Sequence, residues 1–284
     1  MSDRQPPSKA PSSSRQVGTL PAHSKSAGAL QIGAFQILHF DSIDSTNLEA
    51  MRQAKSGASE GLCIIAREQT RGRGRLDRSW HSPKDAGLYL SIVLRPKFDL
   101  ARWPLISLAA ALAVHDAIFR VCDLKVDIKW PNDICVRDRK LCGILAETVE
   151  TEIGLAAIVG IGINLYDENF PAELEPHATS LRSVTGSDVD RDHLVNELSK
   201  ALSERYEMLN SGSGDEHTIR EWCANSSYAF GRMVRVSLGD ENLVGVTRGL
   251  ESDGALRIET ADGKLRSARA GDVTALRAHP SDNS

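Results

Sequence analysis

The stretch Gln69-Thr70-Arg71-Gly72-Arg73-Gly74-Arg75-Leu76-Asp77-Arg78-Ser79-Trp80 lies between two apolar runs, residues 61–66 and 87–94. Both runs have the length and composition of buried strands, so we predict two strands of one sheet with this stretch as the loop that joins them. We refer to residues 69–80 as the arginine loop. It combines four arginines with two glycines, which is not typical of a core segment.

The arginine loop has the chemistry of an anion site. Each guanidinium can grip a carboxylate or phosphate through two parallel hydrogen bonds, and Gly72 and Gly74 let the backbone approach a ligand closely. Ordering such a loop costs free energy, because like charges repel each other and the glycines lose conformational entropy. We therefore expect it to be mobile until an anion binds. A solvated basic turn or a nucleic-acid patch remains an alternative from this loop alone.

Length and composition limit the class of protein. The chain has 284 residues, 41% of them hydrophobic, which is enough for one sizeable core and a small second domain. A formal net charge of -4 argues against a protein that mainly coats nucleic acid. The five cysteines are odd in number and lack CxxC spacing, which indicates free thiols in a reducing compartment, the cytoplasm. The longest apolar run, residues 105–114, is too short to span a bilayer.

The chain begins with a stretch that differs from the rest. Residues 1–33 are rich in Ser and Pro without hydrophobic periodicity, which predicts a disordered tail; an organelle transit peptide is the alternative. Residues 35–40 look like a strand, and a helix should follow to about Lys55. Ser45 or Thr46 would cap that helix, although the same hydroxyls at a helix start also suit the polar edge of a ligand.

A second dense stretch starts at residue 126. Two strand-like runs flank a turn at residues 137–139, which predicts a hairpin with Lys129-Trp130-Pro131-Asn132-Asp133 just beyond the end of a strand. Asn132 and Asp133 also suit a plain turn. Lys140 could be a surface charge, but it begins an apolar strand and can direct its ammonium into a site.

The remaining elements complete an α+β organisation. Residues 104–121, 189–210 and 217–224 predict helices, with a flexible link at 211–215, and residues 155–165 predict a strand whose Gly160 and Gly162 allow a close approach to the sheet. From residue 227 short alternating runs predict an SH3-like β-barrel. We therefore expect a tail at 1–33, a catalytic domain at 34–226 and a small β domain at 227–284.

Four motifs in this order resemble those of biotin protein ligase: Gly72-Arg-Gly-Arg75 with Trp80, Lys129-Trp-Pro-Asn-Asp133, Arg139-Lys-Leu-x-Gly-Ile-Leu-x-Glu147, and Gly160-x-Gly-Ile-Asn164. The resemblance covers residues 35–279 and implies a class II synthetase-like catalytic domain, a mixed sheet with flanking helices. The resemblance is to the short form of this family, which lacks an N-terminal DNA-binding domain, so no DNA partner is expected. One departure is Leu76-Asp77, where the family commonly has Arg-Gly.

The resemblance implies a reaction in two steps. Biotin is first joined to the α-phosphate of ATP, with magnesium accompanying the nucleotide, and then passes from biotinyl-AMP to a lysine of a biotin carboxyl carrier protein. That carrier would belong to acetyl-CoA carboxylase or a related carboxylase. No membrane partner is expected, and a homodimer is left open.

Site residues follow from the matching positions. The resemblance implies catalysis by Lys140, Arg75 and Asp133, and no residue as a metal ligand. It implies biotin binding by Ser45, Thr46, Asn47, Gln69, Arg73, Gly74, Arg75, Lys140 and Gly143. It implies ATP binding by Arg75, Arg78, Trp80, Asn132, Lys140, Asn164 and Arg277.

Two other functions remain as alternatives. A lipoate ligase shares the chemistry, and only the binding pocket would separate it from a biotin ligase. A non-enzymatic RNA-binding module would explain the arginines, but it predicts several aromatic residues beside the loop, where the sequence has only Trp80.

Overall fold

The structure is a computed structural model that describes residues 30–32, 35–168, 170–238 and 241–276. In chain order, the strands of the first sheet are β1 (Leu30–Ile32), β2 (Phe35–Phe40), β3 (Leu62–Ala66), β4 (Gly87–Leu94), β5 (Asp127–Lys129), β6 (Asp133–Val136), β7 (Arg139–Thr151) and β8 (Gly154–Asn164). The helices are α1 (Thr46–Lys55), α2 (Pro104–Cys122), α3 (Leu181–Thr185), α4 (Arg191–Leu209) and α5 (Gly214–Ala224). The second sheet contains β9 (Phe230–Leu238), β10 (Glu241–Leu250), β11 (Leu256–Glu259), β12 (Leu265–Ala268) and β13 (Asp272–Ala275).

The first sheet is mixed. Its strands lie in the order β1-β2-β3-β4-β8-β7-β6-β5, and the β2–β3 pair is parallel while the other pairs are antiparallel. The second sheet is antiparallel, in the order β12-β11-β10-β9-β13. The expected α+β class, a mixed sheet with flanking helices and a small β domain, is therefore confirmed.

The first sheet separates two hydrophobic cores. Helix α1 covers one face, where Ile64, Val93 and Ile158 are fully buried. Helices α2, α4 and α5 pack together on the other face. The segment Leu100–Cys122 is long and apolar enough to cross a membrane by composition, but most of it is buried in this second core. The segment therefore has the packing of a core helix.

Most element boundaries agree with the sequence-based expectation, and three differ. Strand β1 lies inside the range expected to be a disordered tail, because residues 30–32 continue the sheet by pairing with β2; residues 1–29 lie outside the described residues. Helix α5 begins at Gly214, so the expected link at 211–215 ends earlier. The short helix α3 was not expected. The division of the chain at residue 226 stays a prediction.

Contacts between the two sheets hold the small domain against the β5–β7 segment. The indole Nε1 of Trp130 donates a hydrogen bond to the carbonyl of Gly254 at 3.0 Å. Asp138, at the tip of the β6–β7 hairpin, accepts from Arg232 at 2.6 Å and from the Tyr228 hydroxyl at 3.0 Å. These contacts place the start of β13 beside the arginine loop.

Candidate active site

The arginine loop folds back on itself as a short hairpin. The amide of Trp80 donates to the carbonyl of Gly72 at 2.9 Å, and the amide of Gly74 donates to the carbonyl of Arg78 at 2.7 Å. Leu76 and Asp77 form the tip, both with positive φ, 54° and 57°. This left-handed region favours glycine, so Asp77, which stands where the family commonly has Gly, falls on the most constrained turn of the loop. Mobility of the loop stays a prediction.

Each arginine of the loop has a partner in the fold. Arg73 forms a two-pronged ion pair with Glu147, with N–O distances of 3.0 and 2.9 Å. The other three arginines pair as follows: Arg71 with Asp44 at 3.4 Å, Arg78 with Asp272, and Arg75 with Asn132 Oδ1 at 3.3 Å and the Gly271 carbonyl at 3.2 Å. The loop is therefore integrated with acidic residues of both domains rather than presented as a bare basic surface.

Arg75 is the arginine of the loop that lies deepest. Burial lowers the pKa of its guanidinium, while the carboxylates of Asp272 and Asp133 act in the opposite direction. A guanidinium stays charged near neutral pH in spite of such a shift. Arg75 therefore offers a partly desolvated cation, which interacts more strongly with an anion than a cation in water would.

A β-bulge directs the Lys140 side chain into the same space as the Arg75 side chain. Ile134 pairs with Cys142 and Cys135 pairs with Lys140, so β7 has one extra residue, Leu141, opposite β6. Because side chains alternate along a strand, the extra residue moves Lys140 to the sheet face that carries Gly143. Its ammonium lies 2.6 Å from Asp133 Oδ1 and 5.3 Å from the centre of the Trp80 ring.

Three glycines form a floor on the α1 face of strands β7 and β8. Gly143 pairs with Gly162, and Gly160 lies two residues from Gly162 on the same face. A Cβ atom added to Gly162 would lie 2.5 Å from the indole Nε1 of Trp80, and one on Gly143 would lie 3.1 Å from the same ring. The close approach expected at Gly160 and Gly162 is therefore confirmed: Trp80 approaches Gly162, and Asn47 approaches Gly160.

One end of this floor carries a polar wall, which we define as Thr46, Asn47 and Gln69 with the fully buried Ser91 behind them. Gln69 Oε1 accepts from the amide of Thr46 at 2.8 Å and from its hydroxyl at 3.0 Å. Ser45 stands at the N-cap of α1, but its side chain makes no capping hydrogen bond to the described first turn. The expected capping role of Ser45 or Thr46 is therefore wrong, because Gln69 from the arginine loop satisfies Thr46 instead.

These parts enclose one open cleft of about 740 Å³, including its solvent-filled mouth. It brings together most of the site residues expected from sequence. They are Ser45, Thr46, Asn47, Gln69, Arg73, Gly74, Arg75, Arg78, Trp80, Asn132, Asp133, Lys140 and Gly143. Arg75 and Lys140 therefore line a common cavity, although they come from separate segments.

Two expected nucleotide-binding residues are not in that lining. Asn164 is buried and donates through Nδ2 to the carbonyls of Thr179 at 3.1 Å and Lys140 at 3.5 Å, so it supports the backbone beneath Lys140. Arg277 lies outside the described residues. Nucleotide binding by both residues stays a prediction.

Other lining residues were not expected from sequence. They are Ser79, Ile144, Leu145, Ile161 and Asp272. Asp272 comes from the small domain and faces both Arg75 and Arg78. Its sequence surroundings, a short β-rich run after Gly271, carry no signal that marks it as part of a site.

The described residues contain no cluster of three or more His, Cys, Asp or Glu side chains that could hold a metal ion. The carboxylates of the cleft are paired with cations, Asp133 with Lys140 and Asp272 with Arg78. The donor set therefore does not fit a metal ion bound by the protein alone.

Comparisons with known proteins agree with this arrangement. Residues 39–164 match the biotin/lipoate A/B protein ligase family, and residues 229–274 match the biotin protein ligase C terminal domain. The first match ends at Asn164, the last residue of β8, and the second covers the second sheet to within one residue at each end.

Curated relatives and a solved structure extend the likeness over most of the chain. The chain is 34% identical over 233 residues to the bifunctional ligase/repressor BirA of Bacillus spizizenii, covering 80% of this chain and 70% of that protein. It is 34% identical over 239 residues to the biotin--[acetyl-CoA-carboxylase] ligase of Mycobacterium tuberculosis, covering 82% and 86%. The structure of the biotin protein ligase from Aquifex aeolicus in complex with biotin and ATP matches with a TM-score of 0.73 at 30% identity, covering 85% of this chain and 99% of that chain. The resemblance drawn from the four motifs is confirmed: the chain belongs to the biotin/lipoate A/B protein ligase family.

Proposed function

We propose that this chain is an ATP-dependent biotin protein ligase, which activates biotin as biotinyl-AMP and transfers it to a lysine of a carrier protein. The observation that carries the proposal is that Arg75 and Lys140 line one cleft. Joining a carboxylate to a phosphate brings two anions together, and fixed cations in a partly buried site offset their repulsion. The likeness to the Aquifex aeolicus ligase with biotin and ATP supports both substrates.

In the first step, a carboxylate oxygen of biotin attacks the α-phosphorus of ATP, and the bond to the bridging oxygen breaks as pyrophosphate leaves. Lys140 and Arg75 stabilise the charge that accumulates on the α-phosphate and the carboxylate. Trp80, Arg78, Asn132, Asn164 and Arg277 bind the nucleotide. The ion pair between Lys140 and Asp133 fits this role, since the incoming phosphate replaces Asp133 as the partner of the Lys140 ammonium.

In the second step, the carrier lysine attacks the acyl carbon of biotinyl-AMP, and the bond to the phosphate oxygen breaks as AMP leaves. The amine must lose a proton, and Asp133 accepts it once Lys140 has turned to the phosphate. Arg75 and the rest of the loop keep water from the anhydride until the carrier docks.

Biotin lies with its ureido ring at the polar wall and its chain toward Lys140. Ser45, Thr46, Asn47 and Gln69 contact the ring, while Arg73, Gly74 and Gly143 shape the pocket around it. Apolar lining from Leu145 supports this placement, because the thiophene ring and valeryl chain require an apolar surface.

Magnesium enters with the nucleotide. Mg²⁺ is commonly bound through substrate phosphates with few protein ligands, which is consistent with the paired carboxylates of the cleft. No protein ligand is assigned to it.

The partner is the biotin carboxyl carrier protein of acetyl-CoA carboxylase or a related carboxylase, as the name of the Mycobacterium tuberculosis relative suggests for that protein. The reaction takes place in the cytoplasm. All five cysteines are free thiols, which supports a reducing compartment. A homodimer stays a prediction.

Incubation with ATP, magnesium and either biotin or lipoate, followed by mass spectrometry for the acyl-adenylate, tests the proposal. Biotinyl-AMP should form with pyrophosphate release, and lipoyl-AMP should not. Formation of lipoyl-AMP alone would make the chain a lipoate ligase, and formation of neither adenylate would contradict the activation step.

A further inference from the structure

The β6–β7 hairpin carries two of the charged groups that the proposed reaction uses. Strand β6 begins at Asp133, and Lys140 is the second residue of β7. Their side chains meet at 2.6 Å inside the cleft. The positions of both groups therefore depend on the conformation of this hairpin.

The hairpin has little conformational preference of its own. Its two turn residues, Arg137 and Asp138, both have positive φ, 52° and 61°. Such a turn favours glycine or asparagine, and an arginine side chain is disfavoured there. The pairing around the turn is short, since β5 pairs with β6 over three residues and β6 pairs with β7 over four. We therefore expect the hairpin to need support from outside.

That support comes from residues at the start of the small domain. Asp138 accepts from the Tyr228 hydroxyl at 3.0 Å and from Arg232 at 2.6 Å. Tyr228 is buried, and the charged groups of Lys129 and Arg232 lie 5.6 and 4.1 Å from the centre of its ring, within the range of cation–π attraction. We call Lys129, Asp138, Tyr228 and Arg232 the hairpin latch.

Arg232 connects the tip of the hairpin to the edge strand β5. Its second terminal nitrogen donates to Ser227 Oγ at 2.7 Å, and the amide and hydroxyl of Ser227 donate to Asp127, the first residue of β5, at 2.7 and 2.6 Å. Burial raises the pKa of the Asp138 carboxyl, but the hydrogen bond from Tyr228 and the charge of Arg232 lower this pKa by more. Asp138 is therefore ionised at neutral pH and accepts from both donors.

We propose that Asp138 and Tyr228 are positioning residues for Lys140: through the hairpin latch, the small domain fixes the tip of the hairpin and so holds the Lys140 ammonium against the reacting anions. This rests on the proposed function and names residues that serve it without touching substrate. Asp138 precedes Lys140 by two residues, so a tilt of the tip reaches the lysine backbone directly. Lys129, which opens the Lys129–Asp133 motif, acquires a role away from the substrates.

Asp138→Gly separates the latch from the turn. Glycine favours positive φ and should make the turn easier to form, but it removes the carboxylate that the small domain holds. The kcat of adenylate formation should fall by about tenfold, while the KM for biotin stays unchanged. A loss of about 10², expected for a displacement of about 1 Å, should not be reached, because the Lys140 backbone also bonds to His177 and Thr179.

Two conservative variants sharpen the test. Tyr228→Phe removes one oxygen and keeps the ring beside Lys129 and Arg232, so kcat should fall by roughly threefold in a folded protein. Combined with Asp138→Gly it should cost nothing further, because both changes break the same contact; a loss equal to the product of the two factors would overturn that link. Asp138→Asn keeps an acceptor and tolerates positive φ, so it should retain most of the wild-type kcat.

Arg137→Gly is the matched control, because Arg137 is the exposed neighbouring turn residue, has positive φ and takes the same substitution. All proteins are assayed as the full chain by pyrophosphate release with biotin and ATP, and their melting temperatures are recorded. Wild-type kcat in both Asp138→Gly and Tyr228→Phe would overturn the proposal, and so would an equal loss in Arg137→Gly. A wild-type chain that forms no biotinyl-AMP would instead overturn the proposed function, before any variant is compared.

Discussion

The two faces of the β7–β8 strand pair differ sharply although they share one backbone. On the α2 face, Ile144, Val159 and Ile161 are buried in a continuous apolar core. On the α1 face, the neighbouring positions are Gly143, Gly160 and Gly162, which leave room for a cleft. Alternation along a strand therefore lets one element contribute stability with one set of residues and a binding floor with the next set.

This difference predicts which substitutions should change activity and which should change the stability of the fold. Substitutions on the cleft face should change catalysis with little loss of stability, because the floor contributes few packed side chains. Substitutions on the core face should do the reverse. The four predictions that follow test this separation, beginning with the largest effect.

Lys140→Ala should lower the rate of adenylate formation by about 10² to 10³, because it removes a fixed cation from the reacting anions. Biotin binding should be affected much less, and the melting temperature should stay near that of the wild type. Pyrophosphate release and biotin titration measure the two effects separately. Lys84→Ala, at an exposed lysine, is the control. Near wild-type pyrophosphate release from Lys140→Ala would remove the role given to this lysine.

Gly162→Ala should lower adenylate formation by about 10², because the new methyl group would lie 2.5 Å from the Trp80 indole and push the ring off the floor. The KM for ATP should rise together with the loss of rate, since Trp80 is expected to contact the nucleotide. Steady-state kinetics and tryptophan fluorescence would report both changes. Retained activity with an unmoved Trp80 would show that the floor tolerates a side chain.

Arg75→Gly should release biotinyl-AMP early, because Arg75 connects the loop to Asn132 and to the Gly271 carbonyl of the small domain. Labelling of bystander lysines should rise by roughly tenfold, the effect of losing one charge-assisted hydrogen bond. Mass spectrometry of an added lysine-rich protein measures this labelling. Arg71→Gly, at a largely exposed arginine, is the control. Unchanged labelling with normal turnover would contradict the retention role.

Ile163→Val should lower the free energy of unfolding by about 1 kcal/mol, because it removes one methylene from the core on the α2 face, away from the residues that line the cleft. Its kcat and KM values should stay close to those of the wild type. Chemical denaturation and the pyrophosphate assay measure the two outcomes. A larger loss of activity than of stability would break the proposed separation between the faces.

The sequence predicted the parts of the site that depend on local chemistry. The arginine loop between two buried strands and the hairpin that carries Lys140 were both identified, because turn residues and apolar runs mark them. Convergence of Arg75 and Lys140 on one cleft also followed, since both flank strands of one sheet. The helix boundaries of α1 and α2 were predicted closely for the same local reasons.

Partners that are distant in sequence were not predictable in the same way. Glu147 pairs with Arg73, and Asp272 pairs with Arg78, only because the sheet order and the docking of the small domain bring them together. The local sequence around each carboxylate contains no pattern that identifies its partner. Thr46 is a further example. Its hydroxyl donates to Gln69 rather than capping its own helix, because tertiary packing overrode an intrinsic capping preference.

The bulge at Leu141 makes the chemistry of this enzyme depend on a count of residues as well as on their identity. Leu141 is the extra residue, so deleting it would leave Lys140 opposite Cys135 and on the cleft face, because Lys140 and Gly143 would then be two positions apart on a regular strand. Inserting one residue beside Leu141, with the one-residue bulge retained, would turn Lys140 to the α2 face although no charged group had been replaced. Such an insertion should therefore reduce activity more than the deletion of Leu141 does, and deep mutational scanning that includes single-residue insertions and deletions would measure the difference.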